Sequence, residues 1–95
     1  MNPVDPLLLV CAFRYCLGRQ TYVVNWCVEY LVDNWLYIDP GTKKTIARDL
    51  LEAIERDDQD REEGRDHKWL GMDMDRAEWD RLLRYIRSQE DVKNT

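Results

Sequence analysis

The sequence predicts an all-α fold, a compact bundle of about four helices with the second helix central. Three observations carry that reading. Gly18, Gly41, Gly64 and Gly71 fall between segments that each carry a helical pattern, as expected where a backbone leaves a helix through positive φ. Within those segments apolar residues recur at steps of three and four, the spacing that lines up one side of a helix. Only 4 Gly and 3 Pro among 95 residues leave too few turns for a strand-dense sandwich. A chain of this length makes one domain, expected over residues 1–88, with Gln89 to Thr95 a fraying tail that has little to bury. At 44% hydrophobic, the composition also excludes a disordered chain.

The first helix opens on Asp5 as N-cap and Pro6 at its first position, then runs from Leu7 to Leu17 and stops at Gly18. Only Arg14 interrupts its apolar surface, so it must be covered on more than one side. The second helix is expected from near Thr21 to about Ile38. Val24, Val28, Leu31, Trp35 and Ile38 fall at steps of 4, 3, 4 and 3 and make one stripe. A strand is the rival reading, because Tyr22, Val24, Trp26, Val28, Tyr30 and Val32 alternate and are β-branched or aromatic. Seventeen residues is long for a strand, and the helical stripe persists throughout.

Asp39-Pro40-Gly41 reads as turn chemistry, with Thr42 capping a third helix to about Asp58 and Ile46, Ala47, Leu50, Leu51 and Ile54 on its inner face. Asp75-Arg76-Ala77-Glu78 has the form of a capping box for the fourth helix, whose Trp79, Leu82, Leu83 and Ile86 follow at i, i+3, i+4 and i+7. Between helices three and four, Trp69, Leu70, Met72 and Met74 are expected to clip a loop onto the core.

The three cysteines, Cys11, Cys16 and Cys27, lie in apolar segments without a CxxC pair, which predicts reduced, buried thiols in a cytosolic protein. The apolar run from Leu7 to Phe13 meets Arg14 without a basic leader or cleavage site, unlike a signal peptide. Tyr22 to Ile38 is broken by Asn25, Glu29, Asp33 and Asn34, so no membrane span is expected.

The net charge of -5 is concentrated. Residues 49–75 carry 4 basic and 11 acidic side chains, whereas the flanking segments are each close to neutral. Its densest part, Glu55 to Asp66, sets seven acids against three arginines. A solvated helix end is one reading of it. The other is a negative surface formed by Glu55, Asp57, Asp58, Asp60, Glu62, Glu63 and Asp66 that docks on an arginine-rich partner in place of phosphates. Acids near a helix C-terminus oppose the macrodipole, which counts against an idle surface. Arg81, Arg84 and Arg87 add a basic strip that would pair with neighbouring acids.

Trp26, Tyr30 and Tyr37 lie opposite the Val24/Val28/Leu31 stripe, so they either meet helix one or form a self-association surface, as in a homodimer. Catalytic patterns are lacking. His67 is the single histidine, Ser88 sits near the end of a helix, and neither G-x-S-x-G nor a phosphate-cradling glycine loop occurs. Asp58-x-Asp60-x-Glu62 departs from a calcium loop, because Glu63 stands where that loop needs glycine. A Mg²⁺ site at Asp73 and Asp75 is the remaining enzymatic alternative. No cofactor is expected, and the acidic balance argues against direct nucleic-acid binding.

The stretch from Ala12 through Phe13-Arg14-Tyr15-Cys16-Leu17-Gly18-Arg19-Gln20-Thr21-Tyr22-Val23 to Val24, then Val28-Glu29-Tyr30-Leu31-Val32-Asp33-Asn34-Trp35, resembles a group of short proteins encoded by phages and prophages of Gram-positive bacteria. Asp75-Arg76-x-x-Trp79 and the preceding Gly71-Met72-Asp73 fit the same group. The resemblance is to a general pattern and carries no active-site residues. It implies a phage accessory protein of the host cytoplasm. Similarity of type to anti-CRISPR proteins further implies a stoichiometric inhibitor whose acidic surface engages a host defence protein, in the first place a Cas nuclease. The alternative expectation is a dimeric structural or regulatory phage protein.

Overall fold

The computed structural model describes residues 5–19, 21–64, 70 and 73–93. It is all-α: α1 (Pro6–Cys16), α2 (Thr21–Asn34), a 3-10 turn (Trp35–Tyr37), α3 (Pro40–Glu62) and α4 (Asp73–Lys93). The described residues contain no strand, so the alternation in Tyr22–Val32 does not make one. The helical stripe decides, because it places Val24, Val28 and Leu31 out of solvent entirely and Trp35 and Ile38 nearly so.

Two helices open on the same Asp-Pro device. Asp5 is extended, and its carboxylate accepts from the Leu7 and Leu8 amides at 3.0 and 3.3 Å, while Pro6 has no N–H to satisfy. Asp39 does the same for α3: one oxygen accepts from the Thr42 amide at 3.0 Å and the other from the Thr42 hydroxyl at 2.6 Å. Asp39, rather than Thr42, is therefore the cap, and Gly41 lies inside the first turn of α3 instead of ending an element. The Thr42 hydrogen bonds hold the Asp39 carboxyl below its usual range. Positive φ occurs at Gly18 (80°) and Gly64 (70°), where α1 and α3 end.

Around the core the helices follow the order α1, α2, α4, α3, with α1 closing the ring against α3 and the most extensive packing between α2 and α4. Phe13 and Trp79, both fully buried, meet edge to face with ring centroids 5.7 Å apart and so tie α1 to α4. Ile46, Leu50, Ala53 and Ile54 bring α3 to the same core, and Leu70, from the connection before α4, is fully buried in it. Met74 and Leu51, expected inside, are exposed instead. Met74 precedes Asp75, the first inward position of α4, and so points about 100° away from it around the helix, and Leu51 lies just off the Leu50/Ile54 line. Trp69 and Met72 lie outside the described residues. α4 continues to Lys93, past the tail expected from Gln89. The molecule is only 18 Å across its thinnest direction, the depth of two helix layers.

Candidate functional site

Helices α3 and α4 run antiparallel, which brings the acidic end of α3 against the first turns of α4. Asp57 is the hub. It is fully buried, accepts the Leu70 amide at 2.9 Å, and its second oxygen is 2.7 Å from both Arg61 Nε and Arg76 Nη1. Arg61 reaches on to Asp73 at 2.8 Å, and Arg76 to Asp58 at 2.7 Å and Asp80 at 3.0 Å. Burial pushes the Asp57 carboxyl up, but hydrogen bonds from Arg61, Leu70 and Arg76 outweigh it and leave the group below its usual range. For Arg76 burial works downward, and its pairs with Asp58, Asp57 and Asp80 overcome it and raise the guanidinium further.

Asp57 is thus a structural group and not the docking residue expected from its neighbours. Asp58 is exposed but paired with Arg76. Glu55, Glu62 and Glu63 face solvent, the last within 3.4 Å of Gln59, whereas Asp60 is half-buried. Asp66 lies outside the described residues, as does His67. The sequence alone gave no sign that α4 would join this cluster. Residues 52–63 and 73–80 together hold eleven carboxylates against three arginines, so the end they share stays strongly negative after its internal pairs are made. Of the basic strip, Arg81 is occupied by Glu29 at 2.7 Å and Glu78 at 3.0 Å, and Arg84 and Arg87 are exposed.

A second surface lies on α1 and α2, away from the acidic end. α1 buries Leu9, Phe13 and Cys16 and leaves Leu7, Leu8, Cys11, Ala12 and Tyr15 in solvent. Tyr22, Trp26 and Tyr30, one turn apart on α2, are 78%, 70% and 44% exposed. Between the two helices runs an open groove of about 390 Å³, floored by Phe13, Cys16 and Leu31 and edged by Leu8, Ala12, Val23, Trp26, Cys27 and Tyr30. Trp26 and Tyr30 therefore share a surface as expected. Tyr37 does not line the groove; it sits in the 3-10 turn, 68% exposed.

The thiols are all free. Cys16 is buried and Cys27 half-buried, but Cys11 is exposed, contrary to expectation. Burial and the adjacent Cys16 thiol push Cys27 up, so its reactive thiolate is scarcely formed at neutral pH. Asp75 Oδ1 and Trp79 Nε1, one turn apart on α4, are buried with no hydrogen-bond partner among the described residues. Among the described residues no group of three or more His, Cys, Asp or Glu could hold a metal ion, and no helix is long and apolar enough to cross a membrane. The chain matches no protein-family model, no curated protein and no solved structure.

Proposed function

We propose that the protein is a non-catalytic binding protein that works through its acidic pole, docking on a basic, nucleic-acid-binding surface of another protein and keeping nucleic acid off it. The observation that carries this reading is the convergence of the α3 and α4 carboxylates on one end of the molecule. Internal arginines fix the backbone positions of that end, and the outward Glu55 and Glu62 present charge to a partner. Such a surface steers a cationic partner over roughly a Debye length, about 10 Å at moderate salt, and offers carboxylates for arginine forks on contact. The resemblance to phage proteins supplies the specific case: a host Cas effector blocked by occlusion, in the manner of an anti-CRISPR protein acting in the bacterial cytoplasm.

The test replaces Glu55 and Glu62 by Lys, because both side chains are exposed and neither belongs to the Asp57 cluster. Binding to a purified Cas effector, and inhibition of its nucleic-acid binding, should fall by tenfold or more on the order of two reversed charges, and wild-type binding should weaken steeply as salt rises. Inhibition undiminished by E55K/E62K, or insensitive to salt, sinks the reading.

A further inference from the structure

We propose that the α1–α2 face is a self-association surface, and that the protein forms a two-fold homodimer through it. This goes beyond the acidic-pole reading and rests on different residues.

The first argument is area. Tyr15, Tyr22, Trp26 and Tyr30 are between 44% and 78% exposed, and Leu7 and Leu8 are 74% and 69% exposed. Since an aromatic side chain contributes ~150–250 Å² when buried, the four rings alone hold roughly 500 Å² of open surface. The leucines, with Ala12 and Cys11, bring the face close to the ~800 Å² that each partner gives to a standard specific interface. Scattered exposed apolar residues need no explanation, but this many on two adjoining helices of a chain that is 35% charged do.

Shape supplies the second argument, and it points to another copy of this chain. The face holds both a projection, Trp26, and a recess, the groove between α1 and α2. A two-fold contact needs both on one patch, because each copy inserts its own projection into the recess of the other.

Charge is the third. Two chains of net charge -5 can approach only where carboxylates do not oppose one another. Glu29, on the neighbouring side of α2, is turned toward Arg81 of α4 at 2.7 Å, and Arg14 of α1 toward Asp49 of α3 at 2.8 Å, while Asp33, exposed one turn past Tyr30, marks the end of the apolar face, where two copies must be offset. Arg19 lies at the rim with its guanidinium 4.5 Å from the Tyr15 ring centre. Among the described residues the groove lining carries no charged side chain. An anionic lipid surface would need a belt of Lys and Arg beside the apolar face, which α1 and α2 do not provide.

The test is the solution mass of the full chain by light scattering and sedimentation, over a wide concentration range and at low and high salt. A mass of twice 11.5 kDa, held or strengthened at high salt, is expected. Tyr22→Glu with Trp26→Glu puts carboxylates at exposed positions and should weaken dimerisation by roughly a hundredfold while leaving the helical circular dichroism unchanged. Ala12→Arg, at the groove edge, is a second variant with the same expected result. A wild-type protein monomeric at every concentration overturns the proposal, as does a dimer that persists in both folded variants. Recovery of a monomeric protein on anionic phospholipid vesicles also overturns it and assigns the face to lipid. E55K/E62K lies on α3 and should leave the dimer mass unchanged, so the two readings fail separately.

Discussion

At the scale of single residues the most consequential side chain is Asp57. Three donors from three parts of the chain converge on one buried carboxylate, and removing its charge would leave Arg61 and Arg76 only their more exposed partners Asp73, Asp58 and Asp80. Breaking one side of a buried ion pair is far costlier than omitting the whole pair, so Asp57→Asn should lose about 3 kcal/mol in urea unfolding. The folded carboxyl lies below its ordinary value. Its contribution is therefore fully present above the unfolded pKa of about 3.9 and disappears as pH falls through the lower folded value. Stability of the wild-type protein should decline on the acid side below that point, and Asp57→Asn should decline less steeply; Asp39, shifted in the same direction, leaves the variant some of the slope. Trp79 separates packing from hydrogen bonding. Its indole N–H has no partner among the described residues, so Trp79→Phe should cost only about 1 kcal/mol, whereas Trp79→Ala opens a cavity against Phe13 and should cost about 4 kcal/mol. A Trp79→Phe loss of about 2 kcal/mol or more would mean that the N–H is satisfied in solution.

At the scale of elements, the boundaries follow local chemistry that can be read from the chain. Asp-Pro opens α1 and α3 because an extended aspartate satisfies free amides and proline brings none. The end of α1 depends on Gly18. Its φ of 80° is open to glycine and strained for an L-residue, and the adjoining turn closes with the Arg19 amide on the Cys16 carbonyl at 3.1 Å. Gly18→Ala should lower thermal stability by about 1 kcal/mol and leave the fold intact, as a melting curve would show. Inner faces were legible in the same way: Val24, Val28, Leu31, Trp79, Leu82 and Ile86 are all buried where their spacing put them. Leu51 and Met74 were misplaced because periodicity fixes a direction on a helix and not how far the neighbouring helix reaches around it.

At the scale of the whole molecule, the two surfaces differ in how they should respond to salt. Association through the carboxylates of α3 and α4 weakens as ions screen it, while burial of the aromatic face holds or strengthens. One titration therefore separates partner docking from self-association. The thin, two-layer build explains why an apolar face remains: α1 packs on α2 and α3, and among the described elements none lies beyond it. A dimer would supply that layer and would carry two acidic poles, giving a partner with two basic sites an added gain in effective concentration.

The sequence by itself determined the helical class, the four segments, most of the core and the place in the chain where negative charge collects. All of these are local quantities, set by spacing, capping residues and composition. Only the tertiary structure decided how the acidic segment is used, because that depends on which helix lies beside it. Asp57 and Glu55 look alike in a run of acids, yet one turns inward to Arg61 and Arg76 and the other outward to water. In the same way Trp35 and Trp26 belong to one aromatic-rich stretch, and only the tertiary packing buries the first, with Lys43 of α3 over its ring, and leaves the second exposed on the outer side of α2.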